Sequence, residues 1–292
     1  MNRKQRRAAE ALKNKETNPP QILPPRLLGG EADQKRYAFI NHENGRKVEG
    51  NETIVPIVKQ VDGWRLELIG TGFFIASNGI LVTAKHVLKD VMRNGQQVHG
   101  IAIVQFIPGN QYLIRPLMFM SENTNADIAI AVPQSAKHNI TGEELVCPRA
   151  TLTTETPAIG DIVSTYAYPN SSIENNAGKV IARFEAHFYE GCLDEFLPEG
   201  RDRVMLPSPC FRTSFVTHGG ASGGPVVGPS GKVFAVNSTG WHGEPLSFVS
   251  RINEILPLTV NIKDEKSGTV QAMTVIEMAK RGWVAFDPPL NI

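Results

Sequence analysis

No apolar run in this chain approaches the roughly 20 residues needed to span a bilayer. Its opening stretch, MNRKQRRAAEALKNKETNPP, lacks the apolar centre of a secretory signal. Cysteine is scarce as well: Cys147, Cys192 and Cys210 are widely spaced, odd in number and free of any C-x-x-C. That pattern indicates neither a disulfide framework nor a zinc site, and it suits a cytoplasmic chain with free thiols. A Cys192–Cys210 bridge is the alternative that the spacing leaves open. There is no H-E-x-x-H and no cluster of histidines, so the sequence calls for no metal and no cofactor. Charge of one sign is missing too. Thirty Lys and Arg against 29 Asp and Glu give a formal net charge of +1, which makes no global case for a nucleic-acid or acidic partner.

What the chain does have is glycine, 26 residues, and proline, 20, which favour many turns and short strands over long helices. Residues 1–50 read as a basic, proline-containing flexible leader; six of the first fifteen are Lys or Arg. Contact of this arm with RNA or a membrane is weighed against a plain solvated leader, and the solvated leader is favoured because its apolar content is low. From about residue 52 short apolar or alternating runs begin: TIVPIVKQ, WRLELIGTGFFIA, GILVTA, IAIVQFI, YLIRPLMFM and DIAIAV. A polar span then precedes a second set, DIVSTYAYP, GKVIARFEAHFYE, CFRTSFV, GGPVVG and KVFAVNSTG. These are the marks of an all-β fold in two similar halves. Only SFVSRINEILP and TVQAMTVIEMAKRGW read as helices, near the C-terminus.

Three segments carry chemistry. GTGFFIASNGILVTAKHV places His86 just after an apolar strand, ADIAIAV places Asp127 just before one, and THGGASGGPVV surrounds Ser222 with four glycines and a proline. A serine hydroxyl attacks poorly until an imidazole takes its proton, and that imidazole must be held in one tautomer by a carboxylate. The order His86, Asp127, Ser222 supplies one of each, two from the first half and one from the second. Glycines at such density cost folding entropy and need a use. A backbone aiming amide donors at a developing oxyanion is one.

TAKHV, DIAI and GASGGPV together resemble the three signature segments of the chymotrypsin-like serine peptidases. The GTGFFI strand is closest in style to bacterial trypsin-like members, including the high-temperature-requirement proteases. The resemblance covers about residues 52–260. It implies two six-stranded antiparallel β-barrels with the active site between them, the first over about 51–140 and the second over about 155–262. A C-terminal helix and tail follow over 263–292.

For the site, the resemblance implies His86 as general base, Asp127 as its orienter and Ser222 as nucleophile. The N–H groups of Gly220 and Ser222 would form the oxyanion hole. Ser238, Thr239 and Gly240 would form the strand edge that pairs with an extended protein or peptide substrate. Val216, Thr217 and His218, with Thr239 and Gly240, would line the pocket before the scissile bond. Val216 stands where trypsin-like specificity needs Asp, which points to small or medium apolar side chains rather than Arg or Lys. Two further departures matter. Val87 replaces the cysteine that follows the histidine in secreted digestive members, and Ala221 replaces the Asp that pairs with a newly cut N-terminus. No PDZ-like module is recognised after the protease region. The competing readings are a non-catalytic peptide-binding scaffold on a protease fold, and an esterase with the same triad.

Overall fold

The computed structural model describes residues 21–28, 39–40, 47–48, 50–62, 65–89, 92–93, 96–97, 100–107, 111–138, 141–169, 171–176, 179–240, 246–263 and 270–291. In chain order, strand β1 (Gln21–Leu28) comes first, followed by the short pair β2 (Phe39–Ile40) and β3 (Lys47–Val48) and a single turn of helix α1 (Gly50–Thr53). Strands β4 (Ile54–Asp62), β5 (Arg65–Phe74) and β6 (Leu81–Thr83) follow. After them come helix α2 (Lys85–Lys89), the pair β7 (Met92–Arg93) and β8 (Gln96–Gln97), and strands β9 (Gly100–Ile107), β10 (Gln111–Glu122) and β11 (Ala129–Pro133). Six of these close into an antiparallel barrel in the order β10-β11-β6-β5-β4-β9. β-Branched and aromatic residues on both faces of its strands, among them Ile54, Ile57, Phe73, Val82 and Ile103, have no exposed surface. Each such side chain contributes about 1.5–3 kcal/mol by leaving water.

The second half holds β12 (Ile162–Ala167), β13 (Ser172–Asn176), β14 (Lys179–Leu197), β15 (Cys210–Thr213), β16 (Pro225–Val227), β17 (Val233–Gly240) and β18 (Ser247–Arg251). Pairing runs β14-β12-β16-β17-β18-β15, and the long β14 pairs β15 again further along its length, closing a second antiparallel barrel. The all-β double barrel expected from the sequence is the observed fold. Strand β1 extends the second sheet, pairing parallel to β14 from Gln21↔Ile181 to Leu28↔His187. So part of the span read as leader packs on the body, with Ile22 buried, while residues 1–20 lie outside the described residues.

The C-terminal region corrects the sequence reading of two helices. SFVSR forms β18, and only Ile252–Ile255 turns as a 3₁₀ helix, η1. VQAMT forms β20 (Val270–Thr274), which pairs with β19 (Thr259–Lys263), and the helix α3 is limited to Val275–Lys280. The mainly apolar run had suggested a helix throughout. A capping box at Thr274 and Glu277 fixes where the helix starts, so the residues before it remain free to pair as a strand.

The two barrels share a core. Tyr168, just after β12, is fully buried, and its hydroxyl donates to the Ile54 carbonyl of the first barrel at 3.0 Å. Its own N–H donates to Thr71 Oγ1 on β5 at 3.1 Å. These cross-barrel bonds set the distance between the segments that carry His86 and Ser222.

Candidate active site

His86 sits in α2, a single turn that starts two residues after β6. Val87 and Leu88 of this turn are buried and anchor it. Val87 occupies the space over Gly70, where an added Cβ would lie 2.6 Å from a Val87 methyl. Val87, which stands where secreted digestive peptidases carry a cysteine, is thus a packing residue. His86 Nδ1 lies 2.8 Å from Asp127 Oδ2, and the His86 backbone N–H donates to Asp127 Oδ1 at 2.9 Å. Both carboxylate oxygens therefore hold the same histidine, one through its ring and one through its backbone.

Asp127 is 1% exposed. Burial by itself would push its carboxyl up. The hydrogen bond and charge of His86, the Ser238 hydroxyl and the His86 amide outweigh that and hold it below the ordinary value of 3.8. Ser238 Oγ donates to Asp127 Oδ2 from β17, so the acid is gripped from both barrels. Sequence reading had given Ser238 only a backbone role at the substrate edge. Nothing in its local pattern showed that its side chain would cross to the other barrel.

The loop at Ser222 is shaped by contacts that exclude side chains. Gly220 (φ +94°) and Gly223 (φ +90°) are left-handed. A Cβ on Gly223 would lie 2.1 Å from the Thr71 carbonyl oxygen, and one on Gly220 would lie 2.8 Å from the Tyr168 carbonyl oxygen. Thr71 braces the loop from β5. Its hydroxyl donates to Gly220 O at 2.7 Å, and its N–H donates to Ser222 O at 2.8 Å. The N–H groups of Ala221, Gly223 and Gly224 donate to His218 O, Asn237 O and Ala221 O. Among the described residues those of Gly220 and Ser222 have no acceptor, leaving two free donors on the loop. Ser222 Oγ donates to the Ser238 carbonyl at 2.9 Å, on the same strand that reaches Asp127.

The residues expected to meet substrate fall around this loop. β17 pairs β16 only as far as Val236↔Pro225, whereas its other edge pairs β18 through Gly240↔Ser247. Val216 is 42% exposed. Thr217 Oγ1 is within 2.9 Å of Ser247 Oγ, and the Thr217 carbonyl lies 3.5 Å from where a Cβ on Gly240 would stand. His218 turns to Tyr189, whose hydroxyl is 3.0 Å from its Nδ1, while the His187 ring packs at a tilt against the Tyr189 ring, 4.6 Å between centroids. Thr239 Oγ1 accepts from Arg201 Nη1 at 2.5 Å. All three cysteines are free, with Cys147 and Cys210 buried, so the Cys192–Cys210 bridge does not form. Among the described residues no group of His, Cys, Asp and Glu could hold a metal ion, and no helix is long and apolar enough to cross a membrane.

The family follows from comparison of the sequence with known domains. The trypsin-like peptidase domain matches residues 70–236, a span that includes His86, Asp127 and Ser222. The chain belongs to the trypsin-like peptidase family and is a serine-type peptidase acting on protein substrates. No curated protein matches it. Among solved structures it is similar to Deg5, at 16% identity and TM-score 0.53, over 77% of this chain and 92% of that one. That likeness shows the double-barrel fold. The active form of the Rv3671c protease from M. tuberculosis aligns at 18% identity and TM-score 0.47, over 70% of this chain and 78% of that one.

Proposed function

We propose that this peptidase cleaves peptide bonds through an acyl-enzyme on Ser222. The observation that carries the reading is the His86–Asp127–Ser238 network beside a glycine loop with two free amide donors. Ser222 Oγ turns from the Ser238 carbonyl to His86 Nε2, gives up its proton there and bonds to the scissile carbonyl carbon. The carbonyl oxygen becomes negative against the Gly220 and Ser222 N–H groups. Loss of one such donor typically costs about 3–4 kcal/mol of transition-state stabilisation. His86 then hands the proton to the leaving amine as the C–N bond breaks. Water, deprotonated by His86, releases the acyl group and restores the hydroxyl. Asp127 keeps the ring in the tautomer with Nδ1 protonated and stabilises the imidazolium.

Substrate adds as an extended strand along Ser238, Thr239 and Gly240, where β17 has outrun β16. The preferred side chain before the scissile bond is small or medium and apolar. Thr217 and His218 already spend polar atoms on Ser247 and Tyr189, leaving Val216 to meet the substrate. Three free thiols suit a reducing interior, where we place the enzyme.

A fluorophosphonate probe tests the reading. Labelling should map to Ser222, and Ser222→Ala should abolish both labelling and peptide hydrolysis. Labelling at another serine, or undiminished hydrolysis in the variant, would sink it. Hydrolysis of esters without peptides would select the esterase alternative, and binding without either would select the scaffold. Cleavage of a mixed peptide library tests the pocket, and a dominant preference for Arg or Lys would overturn its assignment.

A further inference from the structure

We propose that Asn123 is a positioning residue for the reaction: it holds the turn that delivers Asp127 and ties that turn to the barrel carrying Ser222. The inference rests on the triad reading above and extends it to a side chain that touches none of the reacting atoms.

Asn123 directly follows the last residue of β10, four residues before Asp127, and is 8% exposed. Its Oδ1 accepts the N–H groups of Asn125 at 2.8 Å and Ala126 at 3.0 Å, folding the chain tightly into Asp127. Its Nδ2 donates at 2.8 Å to the carbonyl of Glu254 in η1, on the second barrel. Acceptors and donors on opposite sides allow only one orientation of the amide. The same residue is bound through its backbone. Its N–H donates to Ile128 O at 3.0 Å, and its carbonyl accepts Lys85 Nζ at 2.8 Å, with Thr124 O at 3.3 Å from the same ammonium. Lys85 precedes His86 directly. One turn is thus fastened to the helix of the base on one side and to the second barrel on the other, with Asp127 between.

From the second barrel, Ser238 Oγ reaches Asp127 itself and Glu254 O reaches Asn123. Ser238 supplies a hydrogen bond to the carboxylate, whereas Asn123 fixes the backbone from which the carboxylate projects. A displacement of about 1 Å in a catalytic group can cost on the order of 100-fold in rate. Freed of its side-chain bonds, the turn would let Asp127 lose the simultaneous grip of its two oxygens on His86.

The test is a double-mutant cycle in the full chain, with kcat and KM measured on a peptide substrate for Asn123→Ala, Asn123→Asp and Lys85→Met, each in the wild-type and Asp127→Asn backgrounds. Asn123→Ala should lower kcat about 10- to 100-fold with KM changed less than about threefold. Asn123→Asp keeps the acceptor for Asn125 and Ala126 but faces the Glu254 carbonyl with an oxygen, and should fall between wild type and alanine. In the Asp127→Asn background each variant should cost less than about threefold, because the group it places is already disabled. Equal losses in both backgrounds, or a lower Tm with kcat unchanged, would overturn the proposal in favour of a purely structural tie. Should Asn123→Ala fail to fold, Asn123→Asp and Lys85→Met carry the same comparison. If Asp127→Asn and Ser222→Ala themselves leave hydrolysis unaltered, the triad reading has failed and this proposal falls with it. That result differs from an intact triad with an additive Asn123.

Discussion

Asp127 shows how one buried charge is made tolerable and then used. Its two oxygens are satisfied by three donors, the His86 ring, the His86 amide and the Ser238 hydroxyl. We predict that Asp127→Asn folds yet loses about four orders of magnitude in kcat, because the amide favours the wrong imidazole tautomer; steady-state kinetics will check this. A loss below tenfold would make Asp127 structural. The same residue gives a pH dependence of stability. Its folded pKa lies below its ordinary value of 3.8, so its stabilising contribution is complete above that value and is lost as pH falls through it toward the lower folded value. The urea midpoint of the wild type should therefore fall relative to that of Asp127→Asn between about pH 6 and about pH 3. Gly223 makes the opposite demand, for no side chain at all. Gly223→Ala would combine a left-handed φ with a clash against backbone, so we expect lost labelling at Ser222 and a Tm lower by more than about 4 °C.

Among the elements, β1 is where the sequence misleads most. QILPPRLL carries two prolines and sits in a polar, basic surround, so its pattern reads as leader. Its partner is the edge of β14, and parallel pairing with a strand more than 150 residues away leaves no local trace. Proline is tolerated because this is an edge strand and its register shifts between Leu23 and Arg26. Deleting residues 1–20 should leave thermal stability and peptide hydrolysis unchanged. Deleting residues 1–28 should lower Tm by several degrees, since the buried Ile22 and a ladder with β14 are removed. Equal melting curves for the two truncations would count against a packed β1. Ala221 offers no carboxylate for a new N-terminus to pair with, so neither truncation should switch activity on.

At the scale of the whole molecule, two closed barrels are joined through a buried seam that the fully buried Tyr168 bridges. Tyr168→Phe would leave the Ile54 carbonyl without its donor, so we predict a loss of about 1–3 kcal/mol in urea unfolding. The transition should stay single, because both barrels contribute to one continuous core. A second transition in the variant would show barrels that unfold independently. What the sequence determined alone is local or patterned. Alternating apolar strands announced two β halves, and the proposed triad of His86, Asp127 and Ser222 was legible because each of the three lies in a short motif beside an apolar strand or a run of glycines. What only the tertiary structure decided is every pairing made at long range. It showed that β1 belongs to the body, that Ser238 sends its hydroxyl to the other barrel, that Thr71 braces the glycine loop, and that Asn123 spans from one barrel to the other. Each is a polar side chain or an edge strand of ordinary local composition, and its role arises from a partner between 111 and 160 residues away that folding alone brings within hydrogen-bond reach.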